Sequence, residues 1–123
     1  MKGVLVIAHG SRATETEAVL DAIVAMVREN LPDRMIECAF MGNSDRTAEK
    51  AIAALAQSNV TEIKIIPYFL FMGIHMKEDI PEMVAELTKD YPEIQISMTD
   101  SLGADPRLAE IVIEKILSDQ ELG

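Results

Sequence analysis

The chain has a single cysteine, Cys38, among its 123 residues, so it can form no internal disulfide. It has no Cys-x-x-Cys pair, which excludes a thiolate zinc site or a redox couple. Cys38 lies in the apolar stretch "IECAF" and reads as a small buried hydrophobe. Tryptophan is missing, and three phenylalanines and two tyrosines leave little for stacking on bases. Lys and Arg number 11 against 21 Asp and Glu, a net charge of −10. Without clustered basic residues, nucleic acid is excluded as a partner and an anionic membrane surface is disfavoured. No apolar run approaches the roughly 18 residues of a membrane helix. Residues 4–8 are too short for a secretory leader, so the expected location is cytoplasmic. Cations, by contrast, are attracted to such a chain.

What is present is regular alternation. "GVLVIA" (3–8) reads as a strand buried on both faces. Residues 14–31 follow with helical periodicity, Val19, Leu20, Ile23, Val24, Met26, Val27 and Leu31 sharing one side, and Thr14 with Glu17 forms a capping-box signal. Residues 35–41 give a second strand and 47–58 a second helix, with Ser44 or Asp45 as candidate caps. "EIKIIPYFLFM" (62–72) is the third strand, ending at Pro67 or a few residues later. A loop at 73–79 turns into a third helix with Pro81 in its first turn. Residues 93–98 suit an edge strand, and 106–117 a last helix with Asp105 as cap and Pro106 at its first position. The order β-α-β-α-β-α-β-α predicts one α/β domain over residues 1–123. It is a three-layer fold with a four-stranded, mainly parallel sheet of order 2-1-3-4 and helices on both faces.

The only two histidines follow strands 1 and 3: His9 in "VLVIAHGSR" and His75 in "FLFMGIHMKEDIP". In a 2-1-3-4 sheet these strands are neighbours whose connections leave in opposite directions, and ligands bind at such a switch point. A lone histidine at a strand end is often only a hydrogen-bonded spacer. Two on one edge also suit a metal, since imidazole both ligates divalent transition metals and exchanges protons near neutral pH. Two protein ligands make an open, weak site, suited to a metal that is handed on rather than to a structural zinc. Other motifs fail: there is no GxSxG around Ser11, no GxGxxG and no GxxxxGK[ST].

"HGSR" after an apolar first strand, "PYFLFMGIHMKEDIP" at the third, and "LGADPRL" near the end resemble the short class II tetrapyrrole chelatases. Within them the likeness is to the single-domain sirohydrochlorin cobaltochelatases of the small CbiX type, over nearly the whole chain. The resemblance implies a chelatase-like fold, two units facing across one active site, and a homodimer for short chains. It implies insertion of a divalent metal into a reduced tetrapyrrole, sirohydrochlorin, without ATP, in cobalamin and porphyrin biosynthesis. Co²⁺ is the expected metal, with Ni²⁺ and Fe²⁺ next, and no cofactor is expected beyond that substrate ion. His9 and His75 match the family's metal-binding and catalytic histidines.

The tetrapyrrole is expected to meet Gly10, Ser11, Arg12, Gly73 and Met76. The glycines would allow close approach, and Met72, Ile74 and Met76 would form an adaptable wall. Arg12 is the first candidate for the substrate's carboxylates, ahead of Lys77 and Arg46. One departure stands out. Many relatives carry a Glu after the second strand, and here "AFMGNSDRT" has Gly42 in its place, leaving Asp45 or water to complete a metal shell. That departure keeps a second reading open: a metal or tetrapyrrole carrier without turnover. A small hydrolase using Ser11 with His9 is a third reading, disfavoured by the missing nucleophile turn.

Overall fold

The structure is a computed structural model that describes residues 1–119. Eight elements alternate: β1 (Lys2–His9), α1 (Thr14–Asn30), β2 (Arg34–Met41), α2 (Ala48–Gln57), β3 (Glu62–Pro67), α3 (Ile74–Thr88), β4 (Gln95–Met98) and α4 (Pro106–Leu117). The sheet order is β2-β1-β3-β4 and every pairing is parallel, with Val6 opposite Cys38 on one side and Ile66 on the other. Helices of 10 to 17 residues between the strands are long enough to carry the chain back for each parallel pairing.

The two faces of the sheet follow from the alternation of β1. Leu5 and Ile7 point to one face, where they join Ile63 and Ile65 of β3, Ile52 and Leu55 of α2, and Ile80 and Val84 of α3. Each such side chain contributes about 1.5–3 kcal/mol of apolar burial. Val6 and Ala8 point to the other face and pack with Ile36, Cys38 and Phe40 of β2 and Leu20 and Val24 of α1. Burial pushes the Cys38 thiol up from its ordinary pKa, as befits a packing residue and not a nucleophile.

Several local expectations are corrected. α1 buries only Leu20 and Val24, while Val19 and Met26 are exposed. Its N-cap is Ala13, with no side-chain cap; Glu17 instead accepts hydrogen bonds from Ser44 and Arg46. The cap of α2 is Thr47, whose hydroxyl accepts from Lys50 N, whereas Ser44 Oγ accepts from Arg46 N inside the preceding turn. β3 stops at Pro67, the earlier of the two ends expected for it, and residues 68–73 form a connection over the sheet's edge. α3 begins at Ile74, so Pro81 lies inside it, where it withholds a donor from the carbonyl of Lys77. β4 begins at Gln95 and is an edge strand as expected. Asp105 caps α4 through Arg107 N, with Pro106 at the first position. Yet α4 buries none of its residues.

Candidate active site at the carboxyl edge of β1 and β3

His9 is the last residue of β1 and emerges beside the carboxyl end of β3. The neighbouring chain is fixed by backbone bonds. Tyr68 N donates to Ile7 O at 2.7 Å, and Phe69 N to Pro67 O at 3.0 Å. Those bonds turn the connection back over the edge and put the buried Phe69 ring against His9, with centroids 4.7 Å apart and an angle of 71°. The edge-to-face contact holds the imidazole while leaving it exposed. Six residues on, His75 is the second residue of α3, also exposed. Gly73 is the N-cap of that helix, with open space where a Cβ would stand. Both imidazoles therefore line the edge at the switch point between β1, which leads to α1 on one face, and β3, which leads to α3 on the other.

The glycine after His9 has an internal reason. A Cβ on Gly10 would lie 1.5 Å from the carbonyl oxygen of Gly42, and Gly10 N donates to Met41 O at 3.0 Å. The exits of β1 and β2 are thus in backbone contact, so the close approach at Gly10 is to the chain itself. Gly42 has φ +78°, in the left-handed region that favours glycine, and Asn43 follows at φ 51°. The turn thus holds Gly42 in a conformation that glycine adopts without strain. Among the described residues no group of three or more His, Cys, Asp and Glu side chains could hold a metal, so Asp45 does not join the histidines as a third ligand.

The other candidates separate. Ser11 Oγ accepts from Ala13 N at 3.1 Å, which shapes the entry to α1, and no hydrogen bond joins it to His9 among the described residues. That removes the pairing a serine hydrolase needs. Arg12 and Lys77 are exposed, and among the described residues their side chains have no hydrogen-bond or ion-pair partner. Arg46 is not available for a ligand's carboxylates. It makes a two-pronged pair with Asp21 at 2.8 and 2.9 Å, reaches Glu17 at 3.5 Å, and lies 5.2 Å above the Phe40 ring. The hydrogen bonds from Arg46 hold the Asp21 carboxyl below its ordinary pKa, and those to Asp21 raise the guanidinium's.

Met72 belongs to the core and Met76 is half-buried against it. The apolar surface at the edge comes instead from Leu70 (61% exposed), Phe71 (79%) and Ile74 (77%). Sequence reasoning missed Leu70 and Phe71 by leaving open a strand that ran on through them. The available signal was the bracketing of residues 68–72 by Pro67 and Gly73.

Residues 3–119 match the model of the CbiX family. A sirohydrochlorin cobaltochelatase of Methanococcoides burtonii is 34% identical, covering 94% of each chain. A sirohydrochlorin ferrochelatase of Priestia megaterium is 30% identical over 94% of this chain and 44% of its own. The sirohydrochlorin chelatase SirB of Bacillus subtilis subspecies spizizenii, solved in complex with cobalt, superposes with a TM-score of 0.84 at 26% identity, over 94% of this chain and 49% of its own. With a family model matched over nearly its whole length and a relative above 30% identity, the chain belongs to the CbiX family.

Proposed function

We propose that this protein inserts a divalent metal ion into sirohydrochlorin without ATP. Co²⁺ is the first candidate, and Ni²⁺ and Fe²⁺ are the alternatives. The observation that carries the proposal is the pair of exposed imidazoles, the chain's only two, at the β1/β3 edge of a CbiX-family fold. Named relatives acting on the same tetrapyrrole with cobalt and with iron support the substrate class and leave both metals in play.

In this reading His9 and His75 hold the metal at the edge through neutral imidazole nitrogens. With only two protein ligands, water or substrate fills the remaining positions, so the ion is loosely held and can be passed on. The macrocycle lies against Leu70, Phe71 and Ile74, which are exposed beside His75 and give a flat ring an apolar support. Its carboxylates meet Arg12 and Lys77, the unpaired cations near the two histidines. Insertion releases two pyrrole N–H protons; an imidazole that has surrendered the metal can accept one, and solvent water takes the other. Gly10 and Ser11 shape the turn that presents His9 and Arg12, while Gly73 and Met76 flank His75. A second copy of the chain covers the other side of the ring.

Anaerobic addition of Co²⁺ to sirohydrochlorin, followed by visible absorbance, tests this. Acceleration over the uncatalysed rate is expected, together with weakened tetrapyrrole binding in Arg12→Ala. The turn at Gly42, with no group of three or more His, Cys, Asp and Glu side chains able to hold a metal among the described residues, favours one other reading: a carrier of the same fold. Binding of both ligands with no acceleration by any of the three metals selects the carrier.

A further inference from the structure

The two histidines are held differently. A metal-binding imidazole is ordinarily oriented by a hydrogen bond from its second ring nitrogen to a carboxylate or a carbonyl. Among the described residues neither His9 nor His75 makes such a bond. His9 instead stands edge-to-face against the Phe69 ring, whereas His75 has no ring contact or ion pair among the described residues.

Phe69 is a fixed wall. It is 7% exposed and belongs to the core under α2 and α3. Its backbone is tied on both sides: its N–H donates to Pro67 O at 3.0 Å, and its carbonyl accepts from Leu102 N at 2.8 Å. The residues around it are tied as well. Tyr68 N donates to Ile7 O of β1 at 2.7 Å, and Leu70 O accepts from Gly103 N of the β4–α4 connection at 2.9 Å. The ring that meets His9 is thus anchored to β1 and to the segment after β4. His75 stands in the first turn of α3 after Gly73, whose surroundings are open. Its neighbour Met76 packs on the core, and His75 is left in solvent.

We infer that Phe69 is a positioning residue that makes His9 the fixed metal ligand of the pair and leaves His75 the free one. The inference rests on the metal-site reading above and divides the work between the two histidines. The physical reason is entropy. An exposed side chain that is immobilised on binding loses rotamer freedom, which weakens the complex by about 2- to 10-fold. His75 bears that loss. His9, already held by an edge-to-face contact, does not. Affinity for the ion therefore depends more on His9 than on His75, and the excess depends on Phe69.

Co²⁺ binding in the absence of tetrapyrrole tests this, by calorimetric titration of wild type, His9→Ala, His75→Ala, Phe69→Leu and Phe69→Leu/His9→Ala. Leu keeps Phe69's place in the core apolar but offers no ring. His9→Ala is expected to weaken binding about 2- to 10-fold more than His75→Ala. Phe69→Leu is expected to weaken it by a similar factor when His9 is present and not at all in the His9→Ala background. Equal losses in the two histidine variants, or an effect of Phe69→Leu that persists without His9, overturn the inference and leave the metal site standing. No Co²⁺ binding by wild type, or no loss in either histidine variant, overturns the metal-site reading and the inference with it. A second measurement needs no change at Phe69: the proton NMR signals of the two imidazoles, told apart by His75→Ala. His9 ring protons displaced from those of His75 by the Phe69 ring current are expected. Coincident positions overturn the positioning role.

Discussion

Leu5, Ile7 and His9 lie on the same side of the same strand by the two-residue period of β structure. Leu5 and Ile7 are 0% exposed, yet His9 is exposed and touches one ring, that of Phe69. The difference lies in what covers them. α2 and α3 close over the middle of β1, but the β3–α3 connection only skirts its tip. A parallel sheet thus separates two tasks along one strand: the closed middle holds the fold, and the open tip is free for chemistry. Changes in the middle should cost stability, and changes at the tip should cost function.

The largest expected effect is at the closed end. Leu5→Ala removes a fully buried side chain between two helices and is expected to cost about 2–5 kcal/mol, read from urea unfolding. A loss under about 1 kcal/mol would mean that the middle is not the tightly packed region described. Next comes the join between the two regions. Gly10→Ala puts a Cβ into the Gly42 carbonyl oxygen, so the turn after β2 must shift, at about 1–3 kcal/mol. An unchanged midpoint would show that the exits of β1 and β2 are not in contact.

The smallest effect is pH-dependent and lies beside the open end. Arg46 holds the Asp21 carboxyl below its ordinary pKa, so the pair's contribution is fully present above about pH 4. It is lost as the pH falls through the lowered value of the folded state. Asp21 is 46% exposed, which limits the contribution to about 0.5–1 kcal/mol. Asp21→Asn should therefore be less stable than wild type at pH 7, and the gap should close in acid. A gap that persists at pH 2 would assign the effect to packing instead.

The strand order and the position of both histidines were legible in the sequence, because short apolar runs alternating with helical periodicity leave few topologies. The end of β3 was legible only to within a few residues. "YFLF" has strand composition, and its exposure at Leu70 and Phe71 follows from the turn that Pro67 begins. Arg46 looked free because its partner Asp21 lies 25 residues away, a contact made only by the fold. The reason for Gly42 was hidden likewise, since a positive φ is a property of the turn and not of the residue type alone.

The central claim is that the two exposed imidazoles at the open edge carry the metal to the ring. The most direct measurement is the anaerobic rate of Co²⁺ insertion into sirohydrochlorin by wild type, His9→Ala and His75→Ala, each first shown to unfold within about 0.5 kcal/mol of wild type. Insertion faster than the uncatalysed reaction for wild type, falling to the uncatalysed rate in both variants, is the predicted result. Wild-type rates in either variant would contradict the claim.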